Sequence, residues 1–286
     1  MISKINSETR LYGVIGDRVE HSFSPLMHNA AFQFHGINSV YLTLQVKSHG
    51  LEDAIKGIKS MGILGVNVTI PHKISIMKYL DEIDSNAKNI GAVNTVINKN
   101  GRLIGYNTDG AGALEALKMG NGNPAGKKVV LLGAGGAARA ISFSIAPVVS
   151  RLVVLNRTRS KATYLVKAIK KRLNIEIVGE ELTTSNLSRE LTDTEVLINT
   201  TSVGMFPKIE ETLVDRNIIK SHMVVFDIIY NPPETRLLRE ATASGAKVIN
   251  GINMLVNQGA LSFKLWVGLK PPIDIMLEAI KRELRE

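Results

Sequence analysis

The sequence predicts an α/β protein of two domains, and three observations carry that expectation. Short apolar runs alternate with helical segments from Leu11 onward, the pattern of strands covered by helices. A Gly- and Asn-rich stretch, Met119–Gly126, interrupts the alternation, which restarts at Lys127. The 286 residues are long for one hydrophobic core and comfortable for two.

In chain order, Leu11–Gly16 reads as a strand. Pro25–His35 reads as a helix, with Ser24 as its N-cap, Pro25 in the first helical position and Gly36 beyond its end. Val40–Val46, Gly65–Thr69, Asn94–Asn98 and Arg102–Tyr106 read as further strands. Lys99-Asn100-Gly101 joins the last two, and Asn-Gly favours a tight hairpin turn. Met119–Gly126 follows the next helix and reads as a loop leading into a second domain. Beyond it, strands are expected at Val129–Leu132, Leu152–Leu155, Ile175–Val178, Val196–Asn199, Val224–Asp227 and Lys247–Ile249. With their intervening helices these make a parallel, doubly wound sheet. Met254–Trp266 and Ile273–Leu284 are amphipathic helices that need a surface to pack on.

Composition narrows the function. The chain has no cysteine, so disulfides, thiolate nucleophiles and zinc–thiolate sites are excluded, and no metal site is expected. The polar start, MISKINSETR, carries no apolar signal core. The apolar stretch Val129–Val149 contains Arg139, three glycines and Pro147, and reads as strand, turn and helix, not a membrane span. A cytoplasmic protein without membrane partners is expected. The net charge of +9 invites a nucleic-acid reading, but the cations are dispersed and only 5% of residues are aromatic. No nucleic-acid partner is expected. A small anionic substrate and a phosphate-rich cofactor account for part of the excess.

The clearest chemical signal follows strand Val129–Leu132. Gly133-Ala134-Gly135-Gly136-Ala137 turns into a helix: Gly133 permits the tight turn and Gly135 lets backbone approach a pyrophosphate at the helix N-terminus. Small residues there also suit plain strand–helix packing. The strand before, the helix after and a second strand closing the unit favour a Rossmann-type dinucleotide site. NAD-binding units place an acid at the end of that second strand, about 20 residues past the first glycine. Here Asn156-Arg157-Thr158-Arg159-Ser160-Lys161 stands instead, with three cations in five positions. That suits the 2′-phosphate of NADP(H), and Arg157 offers a planar fork and a face for adenine. Cations at a solvated helix start would otherwise oppose the macrodipole.

Five polar clusters remain: His21-Ser22-Phe23-Ser24-Pro25, Asn67-Val68-Thr69-Ile70-Pro71-His72-Lys73, Gly91-Ala92-Val93-Asn94-Thr95, Gly105-Tyr106-Asn107-Thr108-Asp109-Gly110 and Asn257-Gln258-Gly259-Ala260. Singly each has an ordinary explanation, as Ser24 and Asp109 capping helices or Lys73 lying at the surface. Together and in order, with G-A-G-G-A, N-R-T and the Y-x-P-x-x-T segment at Tyr230, they resemble the shikimate dehydrogenase family from about Leu11 to Leu284.

The resemblance implies NADPH-dependent reduction of 3-dehydroshikimate to shikimate. It implies that Ser22, Ser24 and Tyr230 bind the substrate carboxylate, and that Thr69, Lys73, Asn94, Asp109 and Gln258 hold the ring hydroxyls and reacting oxygen. Lys73 and Asp109 would be the catalytic pair; Lys73, not His72, occupies the matching position. Ala134, Gly136, Ala137 and Ile228 join Gly133 and Gly135 in the implied cofactor site, with Asn156, Arg157, Thr158 and Lys161 at the phosphate and Gly251 and Met254 toward the nicotinamide. The implied domains are 1–109 for substrate, 110–251 for NADP and 252–286 as helices returning to the substrate domain, in a monomer or homodimer. The sequence departs from the family pattern at Arg18, at Lys161 where Arg is common, and at Thr201 where Ala is frequent. Quinate is the nearest alternative substrate, and two serines at 22 and 24 favour shikimate. An idle NADP-binding sensor is the alternative from another class, and the presence of both Lys73 and Asp109 argues against it.

Overall fold

The computed structural model describes residues 5–284. Its chain forms two compact units, one running through Asp109 and resuming at Val256, the other Gly110–Leu255.

The first unit carries β1 (Arg10–Gly16), α1 (Ser24–Phe34), β2 (Ser39–Gln45), α2 (Leu51–Ser60), β3 (Gly65–Val68), β4 (Glu82–Ile83), α3 (Ser85–Ile90), β5 (Thr95–Lys99) and β6 (Arg102–Tyr106). Its mixed sheet runs β2-β1-β3-β5-β6-β4. β1 pairs in parallel with β2 and β3, while β5 is antiparallel to β3 and β6. The β5–β6 turn puts Asn100 at φ 53° and Gly101 at φ 84°, the two left-handed residues that match a hairpin's twist. Ile15, Val66, Val68 and Leu103 pack with Ile55 and Ile58 of α2 in one core. β4, two residues long, escapes sequence reading because nothing that short has a period.

The expected N-cap of α1 is corrected. Phe23 occupies the cap with no side-chain bond, Ser24 is already helical, and Ser22 Oγ accepts the Ser24 N–H at 3.3 Å.

The second unit holds α4 (Asp109–Met119, its first residue in the first unit), β7 (Lys128–Leu132), α5 (Gly136–Ile145), β8 (Arg151–Asn156), α6 (Arg159–Lys170), β9 (Glu176–Glu181), α7 (Thr184–Leu191), β10 (Val196–Asn199), β11 (Val224–Asp227), α8 (Arg236–Ala243) and β12 (Lys247–Ile249). The six strands run β12-β11-β10-β7-β8-β9, all parallel. Alternate residues of β7 serve opposite faces: Val129 and Leu131 pack with α4 and α5, Val130 and Leu132 with α7 and α8. A strand covered on both faces is apolar throughout, which is why β7 and β8 read as continuous runs. The order reverses beside β7, and the ends of β7 and β10 flank the switch point where such sheets bind ligands.

Met119–Gly126 lies inside the second unit, after α4, and does not lead into it; the chain crosses earlier, at Asp109–Gly110. The return crossing falls within α9 (Ile252–Val267), between Leu255 and Val256. α10 (Ile273–Glu283) packs on α1, and His35 Nε2 of the first unit lies 3.0 Å from the Lys270 carbonyl. No helix among the described residues is long and apolar enough to cross a membrane.

Candidate active site

In the first unit, residues that follow β3, precede β5 and follow β6 come together. Lys73, in the irregular segment after β3, places Nζ 2.5 Å from Asp109 Oδ2. Their side chains are only 16% and 5% exposed. Asp109 heads α4 without serving as its cap; its own N–H is held by Asn107 Oδ1 at 3.1 Å. The Lys73 carbonyl accepts the Val93 N–H at 2.7 Å, tying the lysine's backbone to the segment that enters β5.

Asn94 is the hub. Its Oδ1 accepts the Thr108 backbone N–H at 2.8 Å, and because an N–H can only donate, the amide orientation is fixed. Nδ2 therefore faces Asp109 Oδ1 at 2.8 Å, Thr108 Oγ1 at 2.8 Å and Gln258 Oε1 at 3.1 Å. Both oxygens of Asp109 thus receive a donor, a lysine on one side and an amide on the other. Four of the predicted residues, Lys73, Asn94, Asp109 and Gln258, form one connected group.

Ser22 and Ser24 lie together at the start of α1, and Thr69 follows β3, its N–H on the Ile15 carbonyl at 2.9 Å. No hydrogen bond links these three to the Lys73 group among the bonds described. His72 is buried, with Nε2 2.6 Å from the Val46 carbonyl, so that nitrogen carries its proton and the ring is committed to backbone. Tyr230 belongs to the second unit, just past β11.

The predicted cofactor residues gather in the second unit. Gly133 sits at φ 111°, and a Cβ there would lie 2.5 Å from Thr200 Oγ1, so both conformation and space require glycine. A Cβ at Gly135 would meet nothing within 4 Å, which leaves its approach open. Gly135 caps α5 with no side-chain bond, so the first-turn N–H groups, from Gly136 and Ala137 onward, have no side chain seated on them. Ala134 is half-buried beside them. α6 starts the same way, capped by Thr158 without a side-chain bond, with Arg157 and Lys161 exposed around it. Asn156 ends β8 with Nδ2 on the Thr158 carbonyl at 2.9 Å. Two uncapped helix ends, one led by glycines and one ringed by cations, fit a pyrophosphate and a further phosphate. Across the sheet, a Cβ on Gly251 would strike the Ile228 carbonyl at 2.1 Å, and Met254 is buried one helical turn on. Among the described residues no group of three or more acidic or histidine side chains is placed to hold a metal ion.

Sequence reading missed a second buried cluster at these strand ends. Asp227 closes β11, accepting the Asn199 amide at 3.0 Å, the Ile229 N–H at 3.1 Å and the Thr235 hydroxyl at 2.7 Å. Burial pushes its carboxyl up to about 6, against the pull of those three donors. Asn67, Thr95 and Thr108 stood in the polar motifs without a role, and Ser262 was missed; the buried side chains of all four surround Asn94. Ser262 had one available signal: it stands four residues after Gln258, on the same helix face.

A glycine-led dinucleotide cradle and a buried ammonium–carboxylate pair define an NADP-dependent oxidoreductase. Family models match the chain as the shikimate dehydrogenase substrate binding domain over residues 14–96, shikimate / quinate 5-dehydrogenase over 115–239, and the shikimate 5′-dehydrogenase C-terminal domain over 251–281. The shikimate dehydrogenase (NADP(+)) of Methanocaldococcus jannaschii is 50% identical over 277 residues, 96% of this chain and 98% of that one. A solved shikimate dehydrogenase in complex with NADP+ matches with a TM-score of 0.91 at 46% identity, covering 99% of both chains. The shikimate 5-dehydrogenase of Thermus thermophilus, in complex with NADP(H) and shikimate, matches with a TM-score of 0.85 at 35% identity, covering 96% of this chain and 99% of that one. The chain belongs to the shikimate dehydrogenase family.

Proposed function

We propose that this chain catalyses the reversible, NADPH-dependent reduction of 3-dehydroshikimate to shikimate, with Lys73 as proton donor and Asp109 as its orienting partner. The observation that carries the assignment of roles is the Lys73–Asp109 pair, 2.5 Å apart and largely shielded from water. NADPH, when bound, supplies a hydride to the ketone carbon. Reduction leaves negative charge growing on the ketone oxygen, which needs a donor in place and then a proton. The Lys73 ammonium meets both needs, and in reverse its amine accepts the proton from the alcohol. Asp109 holds the ammonium by charge and hydrogen bond; Asn94 fixes the carboxylate's other side, and Asn94 and Gln258 offer polar contacts to ring hydroxyls.

Ser22 and Ser24 offer hydroxyls to the substrate carboxylate beside the first turn of α1, whose cap lacks a side-chain bond. Thr69 serves a ring hydroxyl. For the cofactor, the first turn of α5 takes the pyrophosphate, while Arg157, Thr158 and Lys161 take the 2′-phosphate at the start of α6. Ile228, Gly251 and Met254 line the nicotinamide side. The enzyme acts in the cytoplasm as a monomer or homodimer. The test is absorbance at the NADPH band with 3-dehydroshikimate, shikimate and quinate, each paired with both nicotinamide cofactors. Turnover of the shikimate pair with NADP(H) supports the reading; turnover of quinate alone, or of none, refutes it.

A further inference from the structure

A buried line of polar side chains runs from Tyr41 to Asn94, all of it within the first unit. The Asn67 amide lies 3.2 Å from the Asn94 carbonyl, an acceptor only, so Nδ2 is on that side and Oδ1 faces Tyr41. The Tyr41 hydroxyl therefore donates to Asn67 Oδ1, at 2.7 Å. Asn67 Nδ2 in turn lies 3.0 Å from Ser262 Oγ, Ser262 Oγ lies 2.8 Å from Thr95 Oγ1, and Thr95 Oγ1 lies 3.0 Å from Asn94 Oδ1.

One placement of hydrogens satisfies this line with each hydroxyl donating once: Tyr41 to Asn67, Asn67 to Ser262, Ser262 to Thr95, Thr95 to Asn94, and Asn94 to Asp109. Every donor points the same way and the line ends on the carboxylate that holds Lys73. All six side chains are buried, so water cannot replace a missing member without a cavity to enter. Asn94 Oδ1 has three partners, the Thr108 N–H at 2.8 Å, the Thr95 hydroxyl at 3.0 Å and the Thr108 hydroxyl at 3.2 Å; without Thr95 the amide keeps its orientation but loses one of the contacts that hold its plane. The Gln258 carbonyl, one turn back on α9, lies 3.1 Å from Ser262 Oγ and is the other acceptor open to the same hydroxyl hydrogen.

We propose that Thr95 and Ser262 are positioning residues for the reaction, holding the Asn94 carboxamide in plane and through it the Asp109 carboxylate. The proposal rests on the reading that Lys73 and Asp109 carry the chemistry. Thr95→Val keeps shape and removes the hydroxyl; Thr95→Ser keeps the hydroxyl and removes a methyl group; Ser262→Ala removes the link with little change in volume.

Steady-state kinetics and melting temperatures are measured for these three beside Lys73→Ala. Thr95→Val and Ser262→Ala are expected to lower kcat about five- to tenfold, one hydrogen bond's worth, with KM for 3-dehydroshikimate changed less than about twofold. Thr95→Ser is expected to retain near wild-type kcat although the lost methyl lowers its melting temperature below that of Thr95→Val. Unchanged kcat in Ser262→Ala, or a kcat loss that follows melting temperature across the set, overturns the proposal. Should Thr95→Val not fold, Ser262→Ala decides the matter by the same kcat criterion. If Lys73→Ala keeps full turnover the catalytic reading itself falls; if it loses turnover while Ser262→Ala does not, only the positioning line falls.

Discussion

Asp109 Oδ2 lies 2.5 Å from the Lys73 ammonium, while its other oxygen takes the Asn94 amide at 2.8 Å. The carboxylate is therefore clamped from both sides, and its charge is what keeps a lysine ammonium in a largely buried place. Asp109→Asn retains the shape and removes the charge. Turnover is expected to fall at least about a hundredfold, with a smaller rise in KM, since the acid–base group loses its orienting partner. Turnover within about threefold of wild type would show that the pair is structural only.

The serines ahead of α1 separate binding from stability. Ser24 is not the helix cap, so Ser24→Ala should leave the melting temperature nearly unchanged. Loss of a hydrogen bond to a charged carboxylate is worth about 1.5–3 kcal/mol, so Ser22→Ala and Ser24→Ala should each raise KM for shikimate roughly ten- to hundredfold. A lower melting temperature with unaltered kinetics would return both residues to a structural role.

Asp227 makes the second unit's stability depend on pH. Its folded pKa, about 6, is raised from the ordinary 3.8, so its contribution is fully present below about pH 4 and is lost as pH rises through 6. The loss is on the order of 3 kcal/mol when complete. Asp227→Asn can still accept from Asn199 and Ile229 while its amide donates to the Thr235 hydroxyl. The variant should gain stability over wild type between pH 4 and 7, read as a widening gap in melting temperature. A gap that stays constant over that range would refute an ionising, buried Asp227.

Cofactor choice rests on the start of α6. Arg157→Ala should weaken NADP binding about ten- to hundredfold, the worth of a charge-assisted hydrogen bond, and NAD binding much less. Added salt should narrow the difference in wild type and variant alike. Equal catalytic efficiency of the wild type with NAD and NADP would contradict the assignment of that cationic helix end.

The second unit was legible almost to the residue because its central strands are buried on both faces and its turn glycine has no substitute. Its edge strand was not. β9 continues through Glu180 and Glu181, charges that an outermost strand tolerates and that read in sequence as loop. The acid absent from the end of β8 has a neighbour there, since Glu181 stands in register with Asn156. In the first unit the motif residues were visible, but not which oxygen of Asp109 each donor takes. Ser262 and Tyr41 were invisible, because a buried hydroxyl on a helix or strand has the same local signature as a solvated one. The misplaced cap of α1 has the same origin: Ser22-Phe23-Ser24-Pro25 offers two serines, and only backbone geometry decides which one is helical.

The measurement that bears most directly on the account is NADPH consumption with 3-dehydroshikimate by the wild type and Lys73→Ala at neutral pH. Lys73→Ala is expected to lose about 10²–10⁴ in turnover, the range for a positioned acid–base group, with a smaller change in substrate binding. A variant that turns over at near wild-type rate would remove Lys73 from proton transfer and contradict the central claim.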